Sequence, residues 1–202
     1  MKKQIYKTIS KSFDYEIDKI KGSRFIAYAI PIKDEDDFKL ELNKIRKKYH
    51  DARHHCYAYI IGDNDNANFK YSDDGEPSKT AGLPIYNVLK GSGLRDILVV
   101  VIRYFGGTKL GTGGLVKAYT LGAQAVLEYL DIVEIEIKTS IKVKFSYDLT
   151  KQIYHLMSNY DAKAENEEYG NDVLFTINMN IAFIDDFKAE LIEKTDGKAV
   201  II

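Results

Sequence analysis

From Arg103 to Tyr119 the chain reads Arg-Tyr-Phe-Gly-Gly-Thr-Lys-Leu-Gly-Thr-Gly-Gly-Leu-Val-Lys-Ala-Tyr, a set of residue types suited to holding an anion. Gly106, Gly107, Gly111, Gly113 and Gly114 follow a hydrophobic run and precede a helical pattern, with Arg103, Lys109 and Lys117 bracketing them. Glycine loses the most backbone freedom on folding, so such a cluster is costly unless the backbone needs positive φ or a close approach. A glycine-rich loop feeding a helix start aims bare N–H groups at one spot, which favours a phosphate. The spacing matches neither the P-loop nor the dinucleotide-binding fingerprint. The plainer alternative is a tight strand-to-helix connection, although that needs only one or two glycines.

A second constellation is Asp73-Asp-Gly-Glu-Pro-Ser-Lys-Thr-Ala-Gly82. Asp73, Asp74 and Glu76 are the residue types that hold a hard cation such as Mg²⁺ through oxygen, or raise one another's pKa for acid–base work. Asp-Gly and Glu-Pro are equally ordinary turn material, and Ser78 and Thr80 are good helix caps. A third group, His50, His54, His55 and Cys56, lacks the second ligand cluster that a zinc site requires. Cys56 and His55 would point to opposite faces of a strand, so the expectation is a core cysteine beside histidines that extend a basic junction with Arg46, Lys47, Lys48 and Arg53. No cofactor and no metal is expected.

The elements that must position these groups are legible in the hydrophobic pattern. Ser23–Ile32 and Cys56–Gly62 read as strands, with Phe69-Lys70-Tyr71 as a short continuation. Between them, acids at 34–37, Phe38, Leu42 and Ile45 at helical spacing, and Arg46-Lys47-Lys48 at the end describe a helix whose charges suit its dipole. A short apolar helix is expected over Pro84–Leu89. Ile97–Phe105 is almost unbroken hydrophobe, the pattern of a central strand covered on both faces. The helix after the glycine loop runs to about Leu130, with Gly122 packing closely on the sheet.

From Val133 to Phe145 apolar and polar residues alternate over about twice a usual strand length, which places a domain boundary near Lys138. The remainder reads as β (141–147), α (149–159), β (162–168), β (173–181), α (184–193), β (199–202), the ferredoxin-like order. Two domains, 1–137 and 138–202, are therefore expected in an α+β protein of 202 residues.

Composition bounds the function. Net charge is −1, with 21 Lys+Arg against 19 Asp+Glu in residues 1–137 and 8 against 11 beyond, so nucleic-acid contact must come from a local patch. Cys56 is the only cysteine, and no apolar run has signal-peptide or transmembrane length, so a reducing, cytoplasmic location without membrane contact is expected.

Together, Lys21-Gly-Ser-Arg-Phe-Ile26, His55-Cys-Tyr-Ala58, Asp73–Gly82 and Arg103–Tyr119 closely resemble the IMPACT/YigZ family of small cytosolic proteins. Lys79 departs from the glycine that bacterial members usually carry there, which weakens transfer of a metal role. The resemblance implies a first domain of the ribosomal-protein-type fold, with the left-handed βαβ crossover of elongation factor G domain IV. It implies a second domain like domain V of the same factor. It points by analogy to translation or stress response. Eukaryotic members regulate translation through an additional N-terminal domain for which this chain has no room, so that role is not carried over.

The expectation is a non-enzymatic protein that binds RNA or the ribosome. Arg24, Arg103, Lys109 and Lys117 would contact phosphates, and Tyr104 and Tyr119 would be available for stacking, while Phe105 is expected to pack internally. One alternative is a Mg²⁺-dependent enzyme on a phosphorylated small molecule, which needs Asp73, Asp74 and Glu76 to converge with the glycine loop. Another is a protein-interaction module using the ferredoxin-like sheet.

Overall fold

The computed structural model describes residues 2–63 and 67–202. The chain divides into two compact units, Tyr6–Ile135 and Met1–Ile5 with Glu136–Ile202. The fold is mixed α and β in both.

In the first unit five strands, β2 (Phe13–Ile20), β3 (Ser23–Pro31), β4 (His54–Ile61), β5 (Asn68–Ser72) and β6 (Ile97–Tyr104), form a sheet ordered β2-β3-β6-β4-β5. β1 (Ile5–Ile9) and β7 (Ile132–Glu136) pair separately as a two-stranded ribbon. β6 sits at the centre and runs antiparallel to both β3 and β4, which are therefore parallel to each other. Helix α1 (Glu35–Lys48) crosses between them, giving a βαβ unit with a third strand inserted.

The unbroken apolar run of β6 has a simple cause. Val99 and Val101 pack in one core with α2 (Gly82–Ser92) and α3 (Gly111–Glu128), while Leu98, Val100 and Ile102 pack in another with Phe38, Leu42 and Ile45 of α1. A strand buried on both faces has no solvent-facing positions for polar residues. Helix α1 begins where Asp34 accepts hydrogen bonds from the Asp36 and Asp37 N–H groups, and ends on Arg46, Lys47 and Lys48. Gly122 lies against the sheet, where an added Cβ would come 3.3 Å from Val101 Cγ1.

The sequence pattern conceals both β1 and β2, and β2 shows why. Its residues Phe-Asp-Tyr-Glu-Ile-Asp-Lys-Ile form an edge strand with no fully buried position, so the charge that marks it as polar is the charge that suits a sheet edge. The long alternation from Val133 is cut at Ile137. Its N–H donates to the Gln4 carbonyl at 3.0 Å and its carbonyl accepts from Ile181 N–H at 2.9 Å, so the chain changes partners there before β8 (Lys138–Phe145).

The second unit continues through α4 (Thr150–Asn159), β9 (Lys163–Tyr169), β10 (Val173–Asn180), α5 (Ile184–Lys194) and β11 (Val200–Ile201). Its antiparallel sheet is ordered β11-β8-β10-β9, the ferredoxin-like arrangement. Val143, Phe145, Phe175 and Ile177 form its core with Ile153 and Leu156 of α4 and Phe187 and Leu191 of α5. Among the described residues no helix is long and apolar enough to cross a membrane.

Candidate functional site

One end of the first sheet gathers the residue types singled out above. The register pairs Arg24 with Tyr104 and His54 with Arg103, so the start of β3, the start of β4 and the end of β6 lie together. Ser72 at the end of β5 pairs with Tyr57 nearby, and the acidic loop leaves from there. The glycine loop leaves β6 at the same end and enters α3.

The three carboxylates of the acidic loop do not converge. Asp73 accepts from three backbone N–H groups, Ala81 and Gly82 at 2.9 Å and Lys79 at 2.8 Å. It thereby caps α2, a role expected of Ser78 or Thr80. The α2 N-cap residue, Ala81, has no side-chain cap of its own; Thr80 is buried and donates to the Pro77 carbonyl, while Ser78 is exposed. Asp74 accepts from the His55 N–H at 2.7 Å and pairs with Arg46 Nη2 at 2.9 Å. Glu76 turns inward, its side chain 4% exposed, and its Oε1 accepts from Arg103 Nη1 at 2.7 Å and from the Tyr119 hydroxyl at 2.8 Å. Among the described residues no cluster of His, Cys, Asp and Glu could hold a metal ion.

Tyr119 is fully buried, so it is unavailable for stacking. Burial, with Cys56 and Glu76 beside it, pushes its hydroxyl far above the ordinary tyrosine range and keeps it a neutral donor. Cys56 is likewise buried, its Sγ 3.0 Å from the Asp73 carbonyl and 3.4 Å from the Tyr119 hydroxyl, and burial drives its thiol pKa upward. A thiol so held is an inert core group. His55 Nε2 donates to the Tyr49 carbonyl at 3.1 Å, which leaves Nδ1 facing Asp74 at 3.7 Å; burial holds the ring below the ordinary histidine pKa.

The glycine loop is used differently. Gly106 is dictated by the fold, since a Cβ there would lie 1.8 Å from the Gly22 carbonyl carbon. Gly107 and Gly111 have φ of +88° and +75°, which side chains rarely adopt, and Gly114 faces Leu110. Gly113 is the exception, because a Cβ there would meet nothing within 4 Å. It stands in the first turn of α3, whose N–H groups no side chain caps. Beside this turn is a cleft of about 380 Å³ lined by Glu76, Pro77, Arg103, Phe105, Lys109, Leu110, Gly111, Thr112 and Leu115.

Within the cleft Phe105 is 55% exposed rather than packed, its ring centroid 5.7 Å from the Arg103 guanidinium carbon. Lys109 is exposed and makes no ion pair among the described residues. Arg103 itself is 7% exposed, and its Nε has no hydrogen-bond partner among the described residues. Its role is to anchor Glu76 and to underlie the cleft, not to present a free guanidinium to a phosphate. Arg24 belongs to the opposite face of the sheet, where it pairs with Glu16 at 2.6 Å and lies 5.5 Å over the Tyr104 ring. Lys117 is exposed on α3 outside the cleft lining. The four cations therefore do not form one patch. Nothing in the sequence spacing signals the contacts of Glu76 with Tyr119 and Arg103, which join positions 43 and 27 residues apart.

Residues 21–127 match the family described as the Impact N-terminal domain, and residues 143–198 match a domain of unknown function, DUF1949. An IMPACT family member from Haemophilus influenzae is 37% identical over 91% of this chain and 90% of its own length. The IMPACT family member YigZ of Escherichia coli is 35% identical, covering 92% of each chain. A solved structure titled as a crystal structure of a hypothetical protein superimposes with a TM-score of 0.73 at 32% identity, over 100% of this chain and 98% of that one.

Proposed function

The chain belongs to the IMPACT family, and from that premise we propose that it is a cytoplasmic, non-enzymatic RNA-binding protein acting in translation or stress response. One observation carries the reading. Among the described residues, the first turn of α3 holds uncapped N–H groups and a glycine, Gly113, that no neighbour requires, beside an unpaired Lys109 and an exposed Phe105. A helix start with free N–H groups and an adjacent cation favours a phosphate. An exposed aromatic ring next to it offers a stacking platform for a base, worth about 1–3 kcal/mol. The carboxylates that a Mg²⁺-dependent reaction would use are occupied by Arg103, by the α2 N-terminus and by His55.

The test is fluorescence anisotropy with a labelled oligouridylate of about 12 nucleotides across a salt series. Affinity should fall steeply with salt, and Lys109→Ala should flatten the log–log slope by about 0.7, the value for one phosphate contact on a single strand. Phe105→Ala should weaken binding about tenfold or more without changing that slope. Absence of binding at low salt, or binding untouched by both substitutions, overturns the reading.

A further inference from the structure

The same end of the sheet carries a second cationic surface on the α1 side. The last turn of α1 supplies Arg46, Lys47 and Lys48, and the connection to β4 adds His50 and Arg53, all exposed. Among the described residues no acid pairs with Lys47, Lys48 or Arg53. Lys48 Nζ donates to the Tyr28 hydroxyl at 2.7 Å and lies 5.1 and 5.3 Å from the Tyr28 and Tyr49 ring centroids. Arg24 over the Tyr104 ring gives a second cation–aromatic pair beside it. Of the acids near this surface, Asp51 accepts from the Tyr104 hydroxyl, Glu16 holds Arg24 and Asp74 holds Arg46, while Asp14 stands opposite Tyr28 on the edge strand β2.

This surface and the cleft lie at the same end of the sheet, one on each of its faces. Tyr104 ends β6 and Phe105 follows it, the Tyr104 ring lying on the α1 face and the Phe105 ring lining the cleft. The acidic loop bridges the two sides. Arg46 and His54 Nδ1 each lie 2.9 Å from Asp74, and Glu76 and Pro77 of the same loop line the cleft.

We propose that cleft and α1 end form one track for single-stranded RNA, in which Lys47, Lys48 and Arg53 contact phosphates beyond those held at the glycine loop. The inference rests on the RNA reading above. Cations interleaved with aromatic rings around one end of the sheet suit an extended polyanion with bases, which a single phosphorylated side chain would not span.

The experiment compares labelled oligouridylates of about 4 and about 12 nucleotides on the full chain, with Lys47→Glu/Arg53→Glu as the variant. Both positions are exposed, and an unchanged melting temperature verifies the fold. The longer oligonucleotide should bind the wild-type protein at least about tenfold more tightly than the shorter, the variant should remove that advantage, and its salt slope should drop by about 1.4 for two lost contacts. The short oligonucleotide should bind variant and wild type alike, while Lys109→Ala weakens both lengths. Equal wild-type affinity for the two lengths, or a variant that still prefers the longer, overturns the track and leaves the cleft reading standing. If the wild-type chain binds neither length, both fall.

Discussion

The acidic loop and the glycine loop meet at one cleft, yet the fold uses them in opposite ways. Within Asp73–Gly82 every carboxylate has a partner inside the protein: Asp73 caps α2, Asp74 holds His55 and Arg46, and Glu76 is buried against Arg103 and Tyr119. In the glycine loop Lys109 and the first N–H groups of α3 remain unengaged among the described residues, and the Phe105 ring is exposed beside Arg103. A residue type that can do chemistry is available for it only while its hydrogen-bonding capacity is not consumed by the fold. The carboxylates fail that condition. The glycine loop meets it.

The comparison predicts a clean separation between stability and binding. The largest effect is expected from Glu76→Ala, which leaves Arg103 charged, buried and unpaired; chemical denaturation should show a loss of about 3–5 kcal/mol. A smaller loss, about 2 kcal/mol, is expected for Asp73→Ala, because two N–H groups at the start of α2 and that of Lys79 before it lose their acceptor. If either protein instead keeps wild-type stability and changes only its ligand affinity, the division between the two loops is wrong.

Gly113→Ala sharpens the contrast from the other side. With nothing near the new Cβ, the substitution should leave the fold intact and stabilise it by up to about 1 kcal/mol in a thermal melt. The same Cβ should hinder a phosphate approaching the helix start, so RNA affinity should fall while stability rises. Destabilisation by this change would mean that Gly113 serves the fold after all.

The smallest effect is a pH dependence placed in the acidic loop's contacts. His55 has a folded pKa below its ordinary value of 6.5, with burial as the main cause, so the unfolded chain binds the proton first. Stability from this group is complete above about pH 6.5 and is lost as pH falls toward the lowered folded value. His55→Gln keeps a donor for the Tyr49 carbonyl and removes the titration. Melting temperatures between pH 7 and 5.5 should therefore fall less steeply in the variant, whereas parallel curves would exclude His55 as the cause.

Much of the architecture is written in the pattern of residues. The apolar run of β6 announces a strand covered on both faces, the acids and bases of α1 mark its two ends, and the 141–202 periodicity spells out the ferredoxin-like order. β2 escapes because an edge strand is allowed to be as polar as a loop. The grouping of the first five residues with the second unit rests on backbone bonds such as Gln4 to Ile137, which no periodicity encodes. Tyr119 shares the helical stripe of Leu115, Ala118, Gly122 and Val126, and its burial follows that spacing, whereas Phe105, one residue past β6, is exposed although its apolar type points to packing.

The sequence by itself determined the family, the two fold types and the location of the polar residues, because these follow from local periodicity and from motifs that are contiguous along the chain. The tertiary structure alone decided which of those polar residues are occupied. Asp73 reaches N–H groups up to nine residues ahead, and Glu76 reaches Arg103 and Tyr119 across the core. Partnerships of that kind depend on distance in space, and burial makes each one costly to leave unmade.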